Sequence, residues 1–254
     1  SQAPLIKFNE VLTKKIISNW SFQLTDDQRR CSWQILQDLG GNQPMLRLLQ
    51  GDVGSGKTAV AILAMANTAD SGYQVAFIAP SEVLAHQHFQ TVVASLGNFF
   101  SIGLLTRTQQ FLSEPGKGIK KIGKKQLAKA LASGQCLIVI GTQALLQESV
   151  DFYKLGLLIV DEQHRFGVEQ RQLLLNKKLF TEDSKNLIAH FLAMTATPIP
   201  RSLALSLYGD LNLSVIKTMP PGRLPVITKI VEDEGRDKMY KFIRQLLDRG
   251  EQAF

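Results

Sequence analysis

Two short stretches about a hundred residues apart carry groups able to act on a nucleoside triphosphate. The first, Gly51-Asp52-Val53-Gly54-Ser55-Gly56-Lys57-Thr58, has the form G-x-x-x-x-G-K-[ST]. Such a loop wraps a phosphate chain in backbone N–H groups; its lysine reaches the outer phosphates and its hydroxyl ligates Mg²⁺. The second, Asp161-Glu162-Gln163-His164, closes the apolar run 155–160. Two adjacent carboxylates at a strand end let one hold a metal while the other handles an attacking water. Each motif follows an apolar, strand-like run, and together they predict an NTP-hydrolysing domain.

Such motifs need a scaffold that sets strand ends side by side. Apolar runs at 45–49, 75–79, 102–105, 136–140, 157–160 and 187–193 read as buried strands. Helical patterns lie at 56–69, 81–96, about 124–132 and 168–175. This alternation predicts an α/β domain: a mostly parallel sheet with helices on both faces and ligands at the carboxyl ends of the strands. Both chemical motifs fall at those ends.

Composition bounds the rest. A hydrophobic content of 44% in 254 residues is ample for one large domain with an extra piece. No apolar run approaches the ~20 residues of a membrane span, so no membrane partner is expected. Cys31 and Cys136 have no metal-like or redox spacing and read as reduced, buried thiols of a cytoplasmic protein. Lys plus Arg outnumber Asp plus Glu by 29 to 22, a net charge of +7 that suits a polyanion. The segment 115–125 carries five lysines among Pro and Gly and reads as a basic, mobile surface loop. A solvated lysine face and a DNA-phosphate contact are both open readings of it. Met219-Pro220-Pro221-Gly222 is a stiff break. Beyond it, 226–231 alternates like a strand, and Met239, Phe242, Ile243, Leu246 and Leu247 form one helical stripe.

A GTPase needs an N-K-x-D guanine reader, and the nearest approach, Asn176-Lys177-Lys178-Leu179, lacks the Asp. A small-molecule kinase has no need of Asp-Glu-x-His after its metal strand. The runs 48–58, 161–171 (D-E-Q-H-R-F-G-V-E-Q-R), 194–201 (M-T-A-T-P-I-P-R) and 203–210 instead resemble the RecG branch-migration helicases of superfamily two. Transcription-repair coupling translocases share the D-E-Q-H-R-F-G-V and T-A-T-P-I-P-R runs; Tyr208-Gly209-Asp210 and Pro220-Pro221-Gly222-Arg223 favour RecG.

The resemblance implies a RecA-like motor domain that uses ATP and Mg²⁺. Phe22, Leu24, Thr25 and Gln28 match its adenine-reading motif, with Phe22 stacking on the base and Gln28 bonding its edge. Thr25 also reads as a helix N-cap. Residues Gly51 to Gly56 match the phosphate loop. Lys57 is implied to cradle the β- and γ-phosphates, Thr58 and Asp161 to hold Mg²⁺, and Glu162 to act as general base. Gln163, His164, Thr195, Thr197 and Arg201 match coupling motifs. Ser81, Glu82, Thr106, Thr142 and Gln143 match the strand-end loops that grip DNA backbone. Two positions depart from the family's pattern: Gln143 stands where His is usual, and Arg107 where Gly is usual.

The resemblance divides the chain into a lead-in from an upstream domain (1–24), the first motor domain (25–219), and a linker with the truncated start of a second lobe (220–254). The chain begins with Ser1 and shows no Q-x-x-G-R-x-x-R motif, so it is expected to be a fragment that binds ATP weakly and does not unwind DNA alone. The implied function is ATP-driven movement on branched DNA, single- and double-stranded, in recombination and repair. Alternatives are a lobe of a coupling translocase, or a nucleotide-dependent DNA-binding module without turnover.

Overall fold

The computed structural model describes residues 2–147, 149–162, 187–197, 211–220 and 228–253. The chain divides into two compact units, Ser1–Pro220 and Pro221–Phe254.

In the first unit the described residues form a nine-stranded sheet. Its strands are β1 (Leu46–Gly51), β2 (Gln74–Ile78), β3 (Ile102–Leu105), β4 (Gln110–Glu114), β5 (Gly118–Lys121), β6 (Ile138–Gly141), β7 (Leu155–Asp161), β8 (His190–Thr195) and β9 (Asn212–Ile216). They lie in the order β5-β4-β3-β6-β2-β7-β8-β1-β9. Pairing is parallel from β3 to β9 and antiparallel between β3, β4 and β5. The central strands β2 and β7 are buried throughout, as unbroken apolar runs in a doubly covered parallel sheet should be.

Helices α1 (Glu10–Ser18), α2 (Asp26–Leu39), α3 (Lys57–Asp70) and α4 (Glu82–Leu96) share one hydrophobic core with the sheet. Helix α5 (Lys124–Ala132) and the 3₁₀ turn Gln143–Leu146 share the core on the other face. Helix α3 is buried on every side from Ala59 to Ala69, its polar Asn67 and Thr68 included, so it is the helix the others enclose. No helix among the described residues is long and apolar enough to cross a membrane.

The lead-in packs as part of this unit. Ile6 and Ile16 are buried, Ala3 N–H donates to Asn42 O, and Ile6 N–H donates to Leu39 O. His190 fastens it from below: its Nδ1 accepts from Met45 N–H at 3.0 Å, and its Nε2 lies 2.7 Å from Pro4 O. Those partners demand a neutral ring with the proton on Nε2, and burial lowers the imidazole pKa to match.

Four strands, β4, β5, β8 and β9, depart from the sequence expectation. The lysine-rich segment read as a mobile loop contains β5, which pairs with β4 to form a hairpin at the sheet edge. Its apolar residues are too few to show alternation, because an edge strand buries little; all four β5 residues are exposed. Strand β9 is a five-residue run whose first two residues, Asn212 and Leu213, are exposed, so it too lacks a long apolar pattern. The strand expected at 187–193 begins at His190, because the chain first meets the lead-in: Ile188 N–H donates to Gln2 O. The helix expected at 168–175 lies outside the described residues.

In the second unit, α6 (Arg236–Asp248) forms where the stripe predicts it, with Tyr240, Phe242 and Leu247 exposed. Residues 228–231, the described part of the strand expected at 226–231, are not in a strand, and Ile230 is 96% exposed. A strand needs an edge to pair with, and the described residues of this unit offer none.

Candidate functional site

All the parallel strands end at one rim, and the strand order sorts the candidate residues along it. From β3 outward the strand ends deliver Thr106, Thr142 (after β6), Ser81 (after β2), Asp161 (β7), Thr195 (β8) and the loop at Gly51 (β1). Candidate backbone-gripping residues occupy one flank and nucleotide-binding residues the other. In the sequence these groups are interleaved; crossovers separate them.

The phosphate loop is held from behind. Thr25 N-caps α2, and Gln28 completes a capping box by accepting Thr25 N–H on Oε1 at 2.9 Å. The same amide donates from Nε2 to Ser55 O at 2.7 Å. Gln28 is only 1% exposed, so it braces the loop against α2 rather than presenting an open edge. Gly56, with φ of 84°, starts α3 in the left-handed region, and a Cβ there would collide with Gln28 Nε2. At Gly51 a Cβ would sit 2.5 Å from Ser55 Oγ. Gly54 also has positive φ, Val53 is exposed, and Asp52 accepts Val53 N–H at 2.7 Å. Lys57 Nζ donates to Gly51 O at 2.6 Å and to Asp52 O at 3.1 Å. Burial lowers its pKa, while Asp161, Glu162 and Asp52 oppose that shift, which places its charge among all three carboxylates. Thr58 is half-buried in the first turn of α3. Ser55 Oγ and Gln50 Oε1 are buried with no hydrogen-bond partner among the described residues, polar groups that a phosphate or hydrated cation would satisfy.

Asp161 ends β7 at 8% exposure, and its Oδ2 lies 2.9 Å from His88 Nε2 on α4. The His88 ring is itself packed on Phe77, 4.6 Å between centroids. This contact spans 73 residues and has no local sequence signal. Glu162 is the one non-glycine with positive φ among the described residues, at 52°. Left-handed backbone costs a non-glycine roughly 1–2 kcal/mol, a strain of the kind found where a side chain must be aimed. Thr195 pairs in register with Gln50, so it stands between Asp161 and the loop. Its hydroxyl accepts Thr197 N–H at 3.2 Å and lies 3.1 Å from Thr197 Oγ1. Gln163, His164 and Arg201 lie outside the described residues. Phe22, 46% exposed, stacks on Trp20 at 5.1 Å and offers an aromatic face.

On the other flank the small hydroxyls shape their loops. Ser81 N-caps α4 by accepting Leu84 N–H at 3.2 Å. Thr142 N-caps the 3₁₀ turn that contains Gln143. Thr106 is buried and both donates to and accepts from Gln109 backbone. Glu82 is occupied differently from a phosphate contact: its carboxylate accepts Thr108 O–H and Arg107 N–H. The Thr108 hydroxyl bond above all lowers its pKa. A fixed anion repels phosphate, so Glu82 braces the β3 loop. That bond also gives Arg107 a structural role through its backbone.

Sequence reasoning also missed Asp27, beside Gln28. Its Oδ2 accepts Thr218 N–H, Thr218 O–H and Lys217 N–H, each at 2.9 Å, and Oδ1 meets Arg30 at 2.6 Å. Those bonds, Thr218's first, lower its pKa to about 2. One helical turn therefore holds both the phosphate loop and the chain leaving β9.

The chain is similar to known helicases in sequence and in fold. The chain is 43% identical to the ATP-dependent DNA helicase RecG of Aquifex aeolicus over 254 residues, all of this chain and 30% of that protein. The Thermotoga maritima RecG is also 43% identical, over 98% of this chain and 30% of its own length. The chain thus spans about a third of the length of the curated relatives it matches. A structure of RecG bound to a three-way DNA junction superposes with a TM-score of 0.80 at 39% identity, covering 98% of this chain and 31% of that one. A DEAD box protein from Methanococcus jannaschii shares the fold, with a TM-score of 0.58 at 21% identity over 94% of this chain and 61% of that one. Residues 25–205 match the DEAD/DEAH box helicase family, and the chain belongs to it.

Proposed function

We propose that this chain is the first motor lobe of a RecG-type DNA helicase, which couples ATP hydrolysis to movement along branched DNA. The observation that carries the reading is the order of the rim, with nucleotide groups on one flank, backbone-gripping loops on the other, and Asp161 and Thr195 between them. Phe22 supplies a face for adenine, and the Thr25–Gln28–Ser55 chain of hydrogen bonds keeps the loop in place behind the phosphates. Lys57 binds the outer phosphates. Thr58 and Asp161 hold Mg²⁺, with His88 fixing the carboxylate. Among the described residues no three His, Cys, Asp or Glu converge. One carboxylate and one hydroxyl suit magnesium, which keeps several waters and leans on substrate phosphates. When bound, that ion neutralises charge on the transferring phosphoryl group.

Glu162 orients the attacking water and takes its proton. Gln163 and His164 pass the change to Thr195, Thr197 and Arg201. Loops after β2, β3 and β6 hold sugar-phosphate backbone through N–H groups and hydroxyls, which position a strand without reading its sequence. In this reading a second lobe contributes the arginine that stabilises transition-state charge, and the lobe alone turns over slowly. The test is phosphate release from the complete protein with and without branched DNA. A motor is stimulated by DNA; equal rates would leave only a nucleotide-dependent binding module.

A further inference from the structure

Resting on that DNA-motor reading, we infer that the β4–β5 hairpin and the start of α5 extend the DNA track, with Lys120, Lys121 and Lys125 meeting duplex phosphates. Register decides which lysines qualify. Strand β4 leaves the rim directly from the Thr106 loop, with Gln110 opposite Leu105, and runs down to Glu114; β5 returns upward. Ile122 N–H donates to Gln110 O, so the chain regains the rim there. Lys121 and Lys120 pair with Phe111 and Leu112, one and two positions below Gln110. Lys117 belongs to the turn at the opposite end, beyond Glu114, roughly 13 Å lower at ~3.3 Å per residue. There it forms an ion pair with Glu114 at 3.2 Å.

The start of α5 is also tied to the candidate DNA loops. Lys124 Nζ donates to Gln147 Oε1 at 2.6 Å, which ties the first turn of α5 to the turn following Thr142. Lys125 is its neighbour in that turn, where the acidic residues that would offset its charge are absent. Lys120, Lys121 and Lys125 have no ion pair among the described residues. Alternation puts Lys120 and Lys121 on opposite faces of an exposed edge strand, so the cations straddle the rim. The partner is a duplex rather than a single strand, because the hairpin shows no stacking platform. Its one aromatic, Phe111, packs against Phe89 and His86.

The experiment is a salt titration of DNA affinity for the complete protein, using a mixed-sequence duplex and a single strand of equal length. The triple variant Lys120→Ala/Lys121→Ala/Lys125→Ala should make the duplex log–log slope shallower by about 0.9 per lost phosphate contact, about 2.7 in all. Lys117→Ala should keep the wild-type slope, and lysine-to-arginine replacements at the three positions should restore it. A wild-type slope in the triple variant would overturn the hairpin assignment while leaving DNA binding by the strand-end loops intact. An equal change from Lys117→Ala, or a larger loss on the single strand, would also overturn it. Absence of salt-dependent duplex binding by the wild type would instead sink the motor reading itself.

Discussion

The two ends of the rim solve opposite problems. At the β1–β7 end, polar groups are tied to one another: Gln28 to Thr25 and Ser55, Lys57 to two loop carbonyls, Asp161 to His88. At the β3–β5 end, the exposed Lys120 and Lys121 form no ion pair among the described residues and add to a field. On the proposed function, the first end is preorganised for one compact ligand, so a single lost atom should be felt at once. The second would meet a repeating charge, so each residue should contribute little and salt should remove it.

The largest effect of a single binding substitution should come from Lys57→Ala. A charge-assisted hydrogen bond is worth about 1.5–3 kcal/mol, or roughly ten- to a hundredfold in affinity. Isothermal titration with ATP and Mg²⁺ checks it, and unchanged affinity would contradict the phosphate-loop assignment.

Next comes Gly56→Ala, which combines a left-handed backbone with a collision against Gln28. A cost of about 1–3 kcal/mol should lower the thermal midpoint and loosen nucleotide together. Gly72→Ala makes the comparison sharper. It has similar φ, 81°, but nothing within 4 Å of its Cβ, so it should cost stability only and leave ATP affinity alone.

His88→Ala should raise the Mg²⁺ concentration needed for nucleotide binding, since losing an outer partner of a metal ligand typically costs 10–100-fold in metal affinity. His88→Gln, which keeps a donor, should recover part of it. Equal magnesium dependence in all three proteins would show that His88 only packs.

Asp27→Asn tests the clasp on the chain leaving β9. The folded carboxyl titrates at about 2 against an ordinary 3.8, so its stabilisation is full above about pH 4 and lost as pH falls toward 2. The thermal-midpoint gap between wild type and variant should close over that window. A gap that stays constant would mean that the charge of Asp27 contributes nothing.

The same contrast explains what was legible in the sequence. The phosphate loop and the strand carrying Asp161 are local: their spacing is their geometry, and the apolar runs that hold them are long and buried. His88 and Asp27 act across 73 and about 190 residues, through contacts that only the crossovers create. The hairpin escaped for another reason. Phe111 and Leu112 are adjacent and serve opposite cores, and β5 buries nothing, so neither shows a hydrophobic period. Glu82 looked like part of a DNA loop because its neighbours do; only the contact with Thr108 shows its carboxylate turned to the protein.

If Glu162 drives hydrolysis while other groups bind the nucleotide, binding and turnover separate at this residue. The direct measurement sets ATP affinity beside DNA-stimulated phosphate release for wild type and Glu162→Gln in the complete protein. Affinity should be unchanged while turnover falls by about 10²–10⁴, the range for a general base. Turnover at the wild-type rate in Glu162→Gln would contradict the account.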